Sequence, residues 1–489
     1  MTALARIGGP ERGGEGIRIG IIDTGIDAGH PTFSDAGFPM PEGYPKIARE
    51  EDRAFTNGKV IAARSYVHLN SNPGPDPSPR DHRGHGTMVA SVAAGNAVEG
   101  PLGRVQGMAP AARVGNYRVF GAGGASNAAV IAALEDALAD GMHVVNLSLG
   151  SPLNGRLEDD PEVRAVERAA SAGVVVVAAA GNSGPDYFTL DSPADAPSAI
   201  TVGSHGSDRR FSSSVQVPDA PPLAAVAGQG YQDQEPISGA LSDVARLDGD
   251  GLACQPLPVD SLAKRLALIA RGTCAFTDKL AIAKRAGAVA AIIIATAAAP
   301  DAIMMGLVNP ELPGLMVSFS DGQRLREWAA RETPAPATAR FRLDAIPSEP
   351  FVLAPDSAAG PGPGIALKPE LTAVGRPLYA ATQRNDPLGD SYSPTGFSIG
   401  DGTSFASPVV AGTAAILLAA RPGLTVGAVR SLLINSARAI PGPALRTGAG
   451  ALDALAALET TLTADPAVLA LTEGDAVRAV RLRTLGTVA

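Results

Sequence analysis

The sequence predicts a doubly wound α/β protein, a mainly parallel sheet in three αβα layers, interrupted by a smaller α+β domain and followed by a short β-like tail. Three observations predict it. Apolar runs of strand length, without polar alternation, recur through the first 215 residues, as strands buried on both faces require. Between them lie segments with helical spacing and helical caps. Near residue 215 this alternation stops, and Pro/Gly-rich sequence with short apolar runs takes over until about 345. The 489 residues suffice for about two to four domains. The 45% apolar content supplies sizeable cores.

The elements follow in order. "IRIGIID" (17–23) is a β-branched strand, and "GHGTMVASVAAGNA" (84–97) a helix with small residues on its packed face. "ARVGNYRVF" (112–120) reads as a strand, and "SNAAVIAALEDALADG" (126–141) as a helix with a Ser cap and a terminal Gly. Then come "HVVNLSLG" (143–150), the helix "DPEVRAVERAASAG" (160–173) and the strand "VVVVAAAGN" (174–182). Helical signals return in "TSFASPVVAGTAAILLAARPG" and "TVGAVRSLLINSA". The partition is therefore 1–219 and 346–458 for the two parts of the larger domain, 220–345 for the insert, and 459–489 for the start of a β-rich extension.

The charge is −9 and no dense Lys/Arg run occurs, so nucleic-acid binding has no electrostatic footprint. The apolar run 288–300 is too short to cross a bilayer, and no membrane span is predicted. The N-terminal "MTALARIGGPERGGEG" has no apolar core of a signal peptide.

Catalysis by a hydroxyl needs a base for its proton, a carboxylate to orient that base, and donors for the oxyanion. The sequence offers one of each at strand exits or helix starts. Asp23 ends an apolar strand, His85 opens a helix, Asn182 leaves a strand among glycines, and Ser404 lies in the first turn of a helix. Each has an ordinary reading when taken alone: turn residue, structural histidine, turn composition and helix cap. His82, three residues before His85, reads as a loop histidine.

Taken together, strand-DTG, HGT-helix, strand-AAGN and GTS-x-A-S-P, in the order Asp, His, Asn, Ser, resemble the subtilisin-like serine proteases (subtilases). "DTGIDAGHPTF", "YRVFG…ALADGMHVVNLSLGS", "KPELTAVG" and "GAGALDALAAL" extend the similarity across both parts of the larger domain. Met88 stands where many relatives carry a second histidine. "APDSAAGPGPG" (354–364) replaces a segment common before the late core. In "KPELTAVG", Glu and Val stand where Asp and Pro are usual. An α/β-hydrolase esterase would need the order Ser, Asp, His and a G-x-S-x-G elbow, which this chain lacks.

The resemblance implies a secreted or cell-envelope endopeptidase acting on proteins or peptides. Asp23, His85 and Ser404 would form the triad, and Asn182 and the Ser404 N–H the oxyanion site. Ser148, Leu149, Gly150, Ala179, Ala180 and Gly181 would hold substrate. The alternative is a catalytically inactive peptide-binding scaffold. No cofactor is required; structural calcium occurs in relatives, but no aspartate cluster here has a site's spacing. Relatives carry a signal peptide and an inhibitory propeptide before the Asp block, so a longer precursor is expected. "SLGS" and "AAAGN" suggest small apolar pocket walls and a bulky apolar side chain before the cut.

The insert has its own resemblance. "ACQPLP…LALIARGTCAFTDKLAIAKRAGAVAAIIIA" with "LPGLMVS" is similar to the protease-associated (PA) domain, whose two cysteines commonly pair. Cys254 and Cys274 enclose nineteen residues. Their disulfide would stabilise the insert by roughly 3 kcal/mol in the chain-entropy account. Two unpaired buried thiols are the alternative, and a reducing compartment would enforce it.

Overall fold

The computed structural model describes residues 2–152, 156–308, 310–331, 336–469 and 479–486. The chain forms two compact units, Met1–Ser207 with Glu349–Ala489, and Asp208–Ser348.

In the first unit, eight strands form one sheet: β1 (Arg18–Asp23), β2 (Lys46–Ile47), β3 (Val60–Ser65), β4 (Arg113–Arg118), β5 (Val144–Leu147), β6 (Val175–Ala179), β7 (Ile200–Gly206) and β8 (Leu371–Arg376). Their order is β8-β7-β6-β5-β1-β4-β3-β2, and every neighbouring pair is parallel. Successive side chains of a strand point to opposite faces. Ile19, Ile21, Val144, Val175 and Val177 thus join one core, and Ile22, Val145, Leu147 and Val176 the other. The first core is covered by α1 (His85–Ala94), α4 (Thr403–Ala420) and α5 (Val426–Asn435). The second is covered by α2 (Asn127–Ala139) and α3 (Pro161–Ser171). Burial on both faces is why these strands read as unbroken apolar runs.

The caps match the sequence signals. Ser126 accepts from the Ala129 N–H at the head of α2, and Asp160 from Glu162 and Val163 at the head of α3. Helix α4 is long and apolar enough to cross a membrane, but most of it is buried in the first core. Part of the tail pairs as an antiparallel hairpin, Leu462–Asp465 with Arg481–Thr484. The Ala464 N–H donates to Ser431 of α5. The rest of the expected extension, 470–478 and 487–489, lies outside the described residues.

The second unit is a closed seven-stranded barrel. Around it run Arg209–Gln216, Leu223–Ala227, Gly314–Val317, Ala290–Ile294, Arg265–Ala270, Ile237–Asp243 and Ala337–Pro347, and the last pairs with the first. Leu268, Ile292 and Phe341 share one core, while Ile269, Ile293 and Met316 pack with Leu280 of the helix Phe276–Arg285. This unit begins at Asp208, ahead of the expected 220, because Arg209–Gln216 is a barrel strand. Its "RRFSSSVQ" is too polar to announce a strand. Cys254 and Cys274 are joined by a disulfide, with Cα atoms 5.8 Å apart.

Candidate active site

Asp23 ends β1, the strand flanked by β4 and β5, where the strand order reverses and open α/β sheets place their sites. Its side chain is fully buried. Oδ1 accepts from the Thr24 N–H and from His85 Nδ1, both at 2.7 Å. Among the described residues, Oδ2 has no hydrogen-bond partner.

His85 is the first residue of α1. The residue before it, Gly84, sits at φ 99° and supplies no side-chain cap. Asp81 caps the helix instead. Its Oδ1 accepts from the N–H groups of Arg83 (2.9 Å) and Gly84 (2.8 Å). Its Oδ2 accepts from the N–H and hydroxyl of Thr87, at 3.0 and 2.6 Å. The Thr24 hydroxyl donates to Asp81 (2.9 Å) and accepts from the Gly86 N–H (2.8 Å). The end of β1 and the start of α1 are therefore knit together on both sides of the Asp23–His85 bond. A Cβ on Gly86 would lie 2.2 Å from the Gly25 carbonyl oxygen, so the middle residue of "HGT" must be glycine.

Ser404 is the second residue of α4, and the helix dipole there favours developing negative charge. Pro408, four residues on, has no N–H to donate to the Ser404 carbonyl. The Ser148 hydroxyl takes that place, donating to the Ser404 carbonyl at 2.6 Å. Ser148 accepts in turn from Asn146 Nδ2 (2.9 Å), whose Oδ1 accepts from Ser407 of α4 (2.7 Å). The Ser404 hydroxyl donates to the Ser148 carbonyl at 3.4 Å rather than to the His85 ring. The Phe405 ring packs 5.4 Å from that ring, setting the His85 imidazole beside the start of α4.

Asn182 follows the exit of β6. Its Oδ1 accepts from the N–H (2.9 Å) and hydroxyl (3.0 Å) of Thr403, which fixes the amide and leaves Nδ2 free to donate beside Ser404. The Thr403 hydroxyl also accepts from the Gly181 N–H at 3.2 Å. The segments 148–150 and 180–182 are thus both tied to the first turn of α4. Among the described residues, no backbone hydrogen bond engages Leu149 or Gly150, an open edge. Ala180 does not: its N–H donates to Val202 and its carbonyl accepts from Asp191, while Ala179 is committed to β6.

Burial works against a charged His85. The Asp23 carboxylate, by charge and by hydrogen bond, and Asp81 by charge outweigh it, so the pKa lies above the ordinary histidine value. His82 stands apart from this set, held between Asp76 (2.6 Å) and Asp386 (2.9 Å). Sequence reasoning missed Asp81, Asn146 and Ser407. Asp81 lies only four residues before His85, but a carboxylate that accepts backbone N–H groups leaves no signature beyond its position. Among the described residues no group of three or more His, Cys, Asp or Glu side chains converges as a metal site would.

The profile of the Subtilase family (peptidase S8) matches residues 14–450. Two subtilisin-like proteases of Arabidopsis thaliana are 31% identical over 456 residues and 32% over 462, each covering 87% of this chain. Those matches span 58% and 59% of the respective relative. The minor extracellular protease Vpr of Bacillus subtilis is 29% identical over 434 residues, 87% of this chain and 48% of the relative. The chain spans about half to six tenths of the length of these relatives. Among solved structures, the psychrophilic subtilisin-like protease Apa1 from Pseudoalteromonas sp. AS-11 aligns over 93% of this chain at 18% identity, with a TM-score of 0.47.

Proposed function

Because this chain belongs to the subtilase family, we propose that it is a serine endopeptidase working through an acyl-enzyme intermediate. The observation that carries the proposal is the buried Asp23–His85 bond beside the first turn of α4, which presents Ser404. Substrate lies extended along the open edge at Leu149 and Gly150, as an added strand. His85 Nε2 takes the Ser404 proton as the oxygen attacks the scissile carbonyl. His85 then gives that proton to the leaving amine, and water repeats the sequence to release the acid. Asp23 keeps the proton of His85 on Nδ1, so that Nε2 is the base, and stabilises the imidazolium. Asn182 Nδ2 and the Ser404 N–H hold the oxyanion.

To bond His85, the Ser404 hydroxyl gives up its long bond to the Ser148 carbonyl; catalytic hydrogen bonds of this kind form fully only when substrate arrives. The Cys254–Cys274 disulfide supports an oxidising, extracellular setting, in line with the extracellular relative from Bacillus subtilis. The barrel unit we assign to the PA type on the motifs around its cysteines, and a propeptide partner to the precursor.

The test is a fluorophosphonate probe, with the adduct mapped by mass spectrometry. An adduct on Ser404, absent in Ser404→Ala and strongly reduced in His85→Ala, supports the proposal. A folded chain that forms no adduct and cleaves no peptide refutes it.

A further inference from the structure

We propose that Asp191 makes the cleft beside Ser404 selective for a lysine or arginine side chain immediately before the cleaved bond. The inference rests on the serine-endopeptidase reading and adds the substrate class to it. A scissile carbonyl placed at Ser404, with its oxygen toward Asn182, sends the preceding side chain between the segments 148–150 and 180–182, since both are anchored to the first turn of α4.

The walls of that cleft are small, as the sequence suggests, but its end is not apolar. A Cβ on Gly181 would lie 2.6 Å from Asp191 Oδ2, and a Cβ on Gly150 would lie 2.6 Å from Asp191 Cβ. The Asp191 side chain therefore occupies the space into which both glycines would project. It is held there by its backbone: the Asp191 N–H donates to the Ala180 carbonyl (3.1 Å), and Asp191 pairs with Pro152 across a short antiparallel bridge. On its other side Asp191 borders, with Asp195, Pro152 and Ser183, a separate cavity of about 510 Å³ that neither 148–150 nor 180–182 lines, so the carboxylate stands at the end of the cleft and not behind a further wall.

Among the described residues the Asp191 carboxylate has no counterion, and no hydrogen bond or ion pair reaches it. Burial pushes its pKa up with no cation to oppose the shift. Asp195 nearby is pushed up to about 6, by burial first and by Asp191 and Asp160 in addition, against the pull of Lys368. Lys368 is itself bonded to Glu370. A half-buried carboxylate in this negative surrounding gains most from an entering ammonium or guanidinium, and gains nothing from the bulky apolar side chain the sequence suggests.

The experiment profiles fluorogenic peptides that differ only in the residue before the cut, with wild type, Asp191→Asn and Asp191→Glu. For wild type, kcat/KM for Arg or Lys should exceed that for Leu or Phe by about tenfold or more, the worth of one charge-assisted hydrogen bond. Asp191→Asn should lose that ratio, chiefly through KM for the Arg peptide, while the Leu peptide changes little. Asp191→Glu should restore a preference for a cation. An apolar preference in wild type, or an Arg preference that survives in Asp191→Asn, overturns the inference. Anisotropy of labelled Arg and Leu peptides on Ser404→Ala separates it from the catalytic reading. Arg-selective binding without Ser404 labelling would defeat the protease and keep the pocket. Ser404 labelling with Leu-selective binding would do the reverse.

Discussion

Asp81→Asn changes one atom type, and its effect follows from five donors. The carboxylate is fully buried and accepts from the Thr24 hydroxyl, the N–H groups of Arg83, Gly84 and Thr87, and the Thr87 hydroxyl. An amide oxygen in the place of Oδ1 keeps the first three bonds without the charge. The amide nitrogen in the place of Oδ2 then confronts the Thr87 N–H and hydroxyl with another donor. The hydroxyl turns, but the N–H is left buried and unpaired, at about 1–3 kcal/mol. With the weakened bonds, the loss sums to about 2–4 kcal/mol, or roughly 3–5 °C in Tm for a unit of this size. The substitution also acts on the base. Asp81 is one of the charges that raise the His85 pKa, so its neutralisation lowers that pKa. Activity needs neutral His85, and the acid limb of kcat/KM should therefore move to lower pH. Thermal unfolding and a pH profile on the same variant check both. A Tm within about a degree of wild type, together with an unmoved acid limb, would refute the reasoning.

Asn182→Ala should lower kcat about 10²–10³-fold with KM nearly unchanged; the figure comes from subtilisin, a member of this family, and not from this structure. Steady-state kinetics on one peptide checks it. Glu162 is buried at the head of α3, and burial together with Asp160 lifts its pKa to about 7. The folded state then holds the Glu162 proton more tightly than the unfolded chain, so stability falls as pH rises from about 4.5 to 7, by about 3 kcal/mol at most. Glu162→Gln should flatten that slope in urea titrations at pH 5 and 8, raising stability at pH 8. Glu370 is buried against Lys368 and Arg430. Glu370→Ala strands two cations and should cost about 3–5 kcal/mol, whereas Lys368→Met with Glu370→Leu should recover much of it in the same unfolding assay. Cys254→Ser should destabilise the barrel unit by about 3 kcal/mol, read as earlier protease nicking within 208–348.

The strands buried on both faces were the most legible part of the fold. "IRIGIID", "HVVNLSLG" and "VVVVAAAGN" became β1, β5 and β6 because continuous β-branched runs need a covered sheet. Strand β3 was not announced, since "VIAARS" ends in Arg and Ser at the edge of the apolar interior. The barrel strand Arg209–Gln216 hid for a related reason: it opens with two exposed arginines and runs on through three serines, two of them buried. In the site, the four family motifs located Asp23, His85, Asn182 and Ser404, but not what holds them. The Asn146–Ser148–Ser407 chain and the Asp81 cap join residues far apart in sequence or work through backbone N–H groups, and neither leaves a local pattern. Asp191, in "TLDSPAD", belongs to none of the motifs; its position follows only from its side chain filling the space beside Gly150 and Gly181.

The place of α4 has a consequence for the life of the chain during its synthesis. Asp23 and His85, 62 residues apart, come from the first hundred residues, and the sheet through β7 is complete on paper by residue 206. Helix α4, which carries Ser404, arrives only after residue 402 and fills the middle of the core on one face of that sheet. Until it docks, the sheet lacks its central cover and Ser404, the proposed nucleophile, is not in place near His85. Ser148 meets the Ser404 carbonyl across 256 residues, a long-range contact of the kind that forms late and slowly. Emerging chains therefore carry their own timing: the element that closes the interior also brings the proposed nucleophile, so on the proposed mechanism an incompletely folded copy could not cut its neighbours.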